Sequence, residues 1–105
     1  MKLEGRVVLI TGSSTGIGKE AALAFDRAGA RVALAARRKE LLDDIAKGMR
    51  DPLVLKTDLA DEKQARAMVD KTVRYFGRID ILINNAVLSI VESSDRVTRG
   101  DLARA

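Results

Sequence analysis

Val7-Val8-Leu9-Ile10-Thr11-Gly12-Ser13-Ser14-Thr15-Gly16-Ile17-Gly18-Lys19 carries more structural information than any other part of this chain. An apolar, partly β-branched run ends in a glycine-punctuated, hydroxyl-rich turn, and the turn feeds a helical pattern over residues 17–28. Strand, glycine turn and helix start together present backbone N–H groups and a helix N-terminus to a pyrophosphate. Glycine belongs where the backbone takes positive φ, or where a ligand or helix must approach without meeting a Cβ.

Outward from this turn, four short apolar runs alternate with three helical patterns. Arg6–Thr11, Arg31–Ala36, Leu53–Thr57 and Ile79–Asn84 read as strands. The second and fourth are almost continuously apolar, as strands covered on both faces are. The first helical pattern carries Ala21, Ala22, Leu23 and Phe25 on its buried stripe and stops at Gly29. The second, Arg38–Met49, places Leu41, Leu42, Ile45 and Met49 at helical spacing before Asp51-Pro52. The third, Asp61–Phe76, places Ala65, Met68, Val69, Thr72, Val73 and Phe76 inward and ends at Gly77. The order β-α-β-α-β-α-β demands parallel pairing with right-handed crossovers. This predicts an α/β fold, half of a doubly wound parallel Rossmann sheet with strand order 3-2-1-4. The first two helices are expected on one face and the third on the other. Residues 1–90 are expected to form the dinucleotide-binding half-domain, and residues 91–105 a tail cut short at the start of a helix.

Composition narrows the chemistry. The chain has 105 residues, no cysteine and no histidine, so disulfides, thiolate metal sites and the usual general base are all absent. No metal site is expected. A net charge of +4 suggests nucleic acid, but the 19 basic and 15 acidic residues are interspersed. Only Phe25, Tyr75 and Phe76 are aromatic, which leaves no stacking platform for a single strand. No apolar run approaches the roughly 18–20 residues of a membrane span, and no signal-peptide pattern opens the chain. The expectation is a cytoplasmic protein without nucleic-acid or membrane partners.

Thr11–Gly18, read as Thr-Gly-x-x-x-Gly-Ile-Gly, resembles the cofactor motif of the short-chain dehydrogenase/reductase family. Asp58-Leu59 after the third strand and Asn84-Asn85-Ala86 after the fourth stand where that family has them, and the resemblance covers about residues 1–86. It implies a nicotinamide-dinucleotide-binding Rossmann fold. The turn, with Gly12, Ser14, Thr15, Gly16, Ile17 and Gly18, would wrap the pyrophosphate. Asp58 would hold the adenine amino group, Leu59 would touch the adenine ring, and Asn85-Ala86 would lie along the nicotinamide-side ribose. Read without the family, Asp58 has an alternative reading as a helix N-cap, and Asn84-Asn85 one as residues that satisfy backbone groups at a strand end.

The end of the second strand is where the two dinucleotides are told apart. A carboxylate there accepts from the ribose hydroxyls of NAD, whereas an arginine accommodates the 2′-phosphate of NADP. This chain has Ala36 at the position of the acid, followed by Arg37 and Arg38. A guanidinium fork matches a phosphate, so NADP(H) is favoured over NAD(H), with Arg37 first and Arg38 in support. Thr15 stands where some NADP-type members carry a further basic residue.

The resemblance also implies a catalytic serine and a Tyr-x-x-x-Lys pair, often with an asparagine, all beyond the fourth strand. No catalytic residue is identified here. The one tyrosine, Tyr75, has Ile79 four residues later, and it reads as a partly buried residue at a helix end. The family's Asn-Asn-Ala-Gly appears as Asn84-Asn85-Ala86-Val87. The β-branched Val87 tolerates positive φ badly and fills the room a glycine leaves, so the following loop is expected to run differently. The chain therefore reads as the NADP(H)-binding portion of an oxidoreductase acting between a nicotinamide and a carbonyl or alcohol, not competent by itself. The alternatives are a stand-alone dinucleotide-binding module and an assembly piece. Residues 79–84 would form an exposed apolar edge, through which, or through Ala86–Val91, the chain is expected to self-associate.

Overall fold

The computed structural model describes residues 2–14 and 16–85. The strands are β1 (Val7–Thr11), β2 (Arg31–Ala36), β3 (Leu53–Lys56) and β4 (Ile81–Asn84); the helices are α1 (Gly16–Arg27), α2 (Lys39–Ala46) and α3 (Glu62–Phe76). They alternate along the chain and build one four-stranded sheet of order β3-β2-β1-β4, in which every pairing is parallel. This is the doubly wound half-sheet that the sequence predicts. The tail over 91–105 and the segment Ala86–Val91 lie outside the described residues.

Alternation along the strands sorts the core into two layers. Val8, Ile10, Val32, Leu34 and Ala36 meet Ala22 of α1 with Leu42 and Ile45 of α2 on one face. Leu9, Ala33, Ala35 and Leu55 meet Met68 of α3 on the other. Burying side chains such as Leu9, Ile10 and Leu34 completely contributes about 1.5–3 kcal/mol each.

The helix ends follow local chemistry. After α1 the chain closes with Ala30 N donating to the Phe25 carbonyl at 3.0 Å and Gly29 N to that of Asp26 at 3.0 Å. Gly29 takes φ 95°, the left-handed geometry this closure requires. Asp61 caps α3 by accepting from Lys63 N and Gln64 N, and Gly77 ends it at φ 92°.

Several boundaries and burials differ from the sequence expectation. α2 stops at Ala46, not Met49, because Gly48 favours turn over helix and the chain is drawn away at Arg50. There Arg50 N donates to Asp26 Oδ1 at 3.2 Å and its guanidinium to the Asp26 carbonyl at 2.7 Å. β3 ends at Lys56, one residue before the expected Thr57. β4 begins at Ile81, not Ile79, because the Asp80 carboxylate takes the Val7 N–H that a longer ladder would use (2.8 Å).

Among the described residues β4 is not covered on both faces as its composition suggests. Leu82 is 54% exposed, and Val69 and Val73, expected to point inward, are 36% and 41% exposed. α3 lies over β1, β2 and β3, which leaves its β4-side flank uncovered among the described residues. Tyr75 is likewise exposed (54%) rather than partly buried.

Candidate functional site

In this sheet the chain runs outward from β1 to β2 and β3, then returns to add β4 on the other side of β1. The strand order therefore reverses between β1 and β4, and ligands of open α/β sheets bind beyond the carboxyl ends of the strands at such a point. The residues that follow the four strands line up along that edge in the order Asp58, Arg37, Gly12, Asn85.

Gly12 anchors the turn after β1. Its N–H donates to the Ala35 carbonyl of β2 at 2.8 Å, and its own carbonyl accepts from Asn85 Nδ2 at 3.1 Å. It takes φ 66°, and Gly16 takes φ 58°, which glycine adopts without steric cost. Gly18 serves differently: a Cβ there would collide with the Gly12 carbonyl and lie 2.8 Å from Ser13 Cα and 2.9 Å from Asn85 Nδ2. α1 can approach the turn only through a residue without a side chain. Below the turn, Thr11 Oγ1 donates to Asn84 Oδ1 at 2.9 Å, locking the ends of β1 and β4 together. Ser13 is fully buried, and its hydroxyl has no hydrogen-bond partner among the described residues.

Above the turn the arrangement opens. Gly16 and Ile17 are exposed at the start of α1, and a Cβ at Gly16 would meet nothing within 4 Å. The first turn of α1 has no acidic residue to neutralise its unpaired N–H groups and positive dipole end. An open glycine cradle beneath an unneutralised helix start fits an anionic pyrophosphate.

The outer part of the edge holds the charged groups. Thr57 N donates to the Ala36 carbonyl at 2.8 Å, so the chain leaves β2 and β3 side by side. Arg37 is exposed and makes no hydrogen bond or ion pair among the described residues, whereas Arg38 Nε donates to Glu40 Oε1 at 3.0 Å. Asp58 is not the cap of α3, which corrects that alternative: Asp61 holds the position. Asp58 Oδ1 instead accepts from Ala60 N at 3.0 Å, and Asp58 N donates to Gln64 Oε1 at 2.9 Å. Leu59 is half-buried against the second core layer. Asn85 bonds a backbone carbonyl across the strand ends, as the local reading proposes, while Asn84 Oδ1 accepts from the Thr11 hydroxyl. Thr15 and Ala86 lie outside the described residues, as does Val87.

Sequence reasoning did not single out Glu40 or Gln64. Glu40 follows Arg38 by two residues in an incipient helix turn, which is the signal that points to it. Tyr75 lies at the end of α3 with its phenol donating to Asp51 Oδ1 at 2.9 Å. That carboxylate pushes the phenol above its ordinary pKa, the opposite of what a phenolate base requires. Among the described residues no helix is long and apolar enough to cross a membrane, and no acidic or other ligand cluster of metal-binding kind occurs.

A glycine cradle, an anion-receptive helix start and a switch point between β1 and β4 define the dinucleotide-binding half of a Rossmann-type α/β sheet. The chain belongs to the short chain dehydrogenase family, whose model matches residues 6–104. It is 45% identical over 92 residues to the 3-oxoacyl-[acyl-carrier-protein] reductase FabG of Thermotoga maritima, covering 82% of this chain and 37% of that protein. It is 40% identical over 87 residues to the 11-beta-hydroxysteroid dehydrogenase-like 2 protein of Arabidopsis thaliana, covering 78% and 28%. A crystal structure of a short-chain type dehydrogenase/reductase from Mycobacterium marinum superposes with a TM-score of 0.73 at 42% identity, covering 77% of this chain and 34% of that one. The 3-ketoacyl-(acyl-carrier-protein) reductase of Brucella melitensis, complexed with NADH, gives 0.73 at 36% identity, covering 76% and 34%. The chain thus spans between a quarter and two fifths of the length of these relatives.

Proposed function

We propose that this chain is the NADP(H)-binding portion of an oxidoreductase that transfers hydride between a nicotinamide and a carbonyl or alcohol. The nicotinamide supplies and accepts the hydride when bound; the residues described here bind and orient it. Residues 1–90 make up this portion. The observation that carries the cofactor preference is at the end of β2. Ala36 offers no carboxylate to ribose hydroxyls, and Arg37 next to it is exposed and unengaged among the described residues. A guanidinium free of partners gives a 2′-phosphate charge-assisted donors without first breaking a bond.

In this reading Gly12, Ser14, Thr15, Gly16, Ile17 and Gly18 enclose the pyrophosphate, with the open start of α1 facing it. Arg37, seconded by Arg38, takes the 2′-phosphate. Asp58 Oδ2, which accepts no bond among the described residues, takes the adenine amino group while Leu59 borders the ring. Asn85 and Ala86 border the nicotinamide ribose. Proton transfer is not assigned to these residues, because the Tyr75 phenol donates to Asp51, which precedes β3 at its amino end, and Asp51 raises the pKa of that phenol. The NADH-bound Brucella relative makes NAD(H) the competing cofactor, so the deciding experiment compares the two. Titrating the chain with NADPH and NADH, followed by nicotinamide fluorescence, should give tighter binding of NADPH. Arg37→Gln should weaken NADPH roughly ten- to hundredfold, the loss expected for hydrogen bonds to a charged group, and leave NADH unchanged. Equal affinities in the unsubstituted chain refute the preference.

A further inference from the structure

Arg37 and Arg38 are adjacent in sequence but not equivalent in structure. Arg38 Nε donates to Glu40 Oε1 at 3.0 Å, and Lys39 Nζ is taken by Asp43 Oδ2 at 2.8 Å, while Arg37 has no such partner among the described residues. Glu40 lies in the first turn of α2, where unpaired amides favour a carboxylate. Its carboxyl is held below the usual carboxylate range, first by its own backbone N–H and then by Arg38, with Lys56 adding attraction from β3. Lys56 is paired in register with Ala36, one residue before Arg37. One carboxylate that stays charged is therefore set among the cations at the outer end of the site.

Resting on the cofactor reading above, we propose that Glu40 is a positioning residue that limits the site's grip on a 2′-phosphate. It occupies the Arg38 guanidinium, so the preference for NADP(H) over NAD(H) is shallower than two adjacent arginines would produce. A 2′-phosphate arriving here competes with Glu40 for Arg38, whereas a 2′-hydroxyl carries no charge and enters no such competition. Both Arg38 and Glu40 are about two-thirds exposed, so the pair is weak enough to be exchanged.

The test is a set of NADPH and NADH titrations at low ionic strength on the chain itself and on Glu40→Gln, Arg38→Gln and the double variant. Glu40→Gln should tighten NADPH about two- to fivefold, the range of an exposed ion pair, and leave NADH unchanged. The gain should disappear when Arg38→Gln is added, and it should shrink as salt is raised. An unchanged or weakened NADPH affinity in Glu40→Gln overturns the proposal, as does an equal change for both dinucleotides. A gain that survives the loss of Arg38 also overturns it, by tracing the effect to the charge of Glu40 alone. If neither dinucleotide binds to any of the four proteins, the cofactor reading itself fails and this role fails with it, a result distinct from normal binding that Glu40→Gln leaves untouched.

Discussion

The Asn85 side-chain amide donates to the Gly12 carbonyl across 3.1 Å, tying the residue after β4 to the residue after β1. These two strands end side by side through the pairing of Thr11 with Asn84, so the bond spans the point where the strand order reverses. It fixes the glycine turn from the side opposite the Gly12 N–H, which is held by Ala35.

Asn85→Ala should therefore loosen the turn as well as the fold. Asn85 is 8% exposed, so the Gly12 carbonyl loses its partner in a largely dry setting. A destabilisation of about 1–3 kcal/mol is expected from leaving that acceptor unsatisfied. Urea unfolding measures it, and a parallel NADPH titration should show weaker binding.

The glycines of the turn should respond unequally to alanine. At Gly18 the added Cβ meets backbone atoms of Gly12 and Ser13, which cannot step aside, and a cost of about 1–3 kcal/mol or more is expected from overpacking. At Gly16 the space is open and only the left-handed φ of 58° is strained, at about 1–2 kcal/mol. Thermal melts of the two variants check the order. Cofactor titration should show Gly18→Ala as the more damaging, because it displaces α1 from the turn.

Acid should weaken the β1–β4 junction through Asp80. Its carboxyl is held below the ordinary value of 3.8 chiefly by the Val7 N–H, then by Arg78 and Arg6. A carboxyl whose folded pKa is depressed contributes stability above its unfolded pKa and loses it as the pH falls through the folded one. Asp80→Asn should thus melt below the unsubstituted chain at neutral pH. The gap should close below about pH 4, where the unfolded carboxyl protonates. A gap that is independent of pH would contradict the assignment.

Among the described residues β4 pairs with β1 only, and Leu82 on it is 54% exposed. Apolar edge strands recruit further strands. In sedimentation equilibrium the chain should show a mass that rises with concentration, and Leu82→Lys should return it towards the monomer. A monomer mass at all concentrations would remove this expectation.

Local periodicity was enough to read the order of elements, their parallel pairing and the glycine turn. The run from Val7 to Ile10 admits little but a buried strand, and the glycines that follow it admit little but a tight turn. Gly29 and Gly77 mark helix ends by the same backbone freedom. Boundaries set by distant partners were not legible: α2 ends early because Arg50 is drawn to Asp26, and β4 starts late because Asp80 turns back to Val7. Helical spacing showed which residues of α3 share a face, but not that α3 would sit over β1 to β3 and leave Val69 and Val73 bare.

For the site, the sequence by itself determined the residues that follow β1, β2 and β4, since the ends of these strands and their turn chemistry are local properties. The tertiary structure alone decided which of them have partners. Asp58 bonds Ala60 while Asp61 caps the helix, Arg38 is taken by Glu40, and Arg37 has no partner among the described residues. Those outcomes depend on side-chain distances of about 3 Å between neighbouring groups, and a chain's periodicity carries no information at that scale.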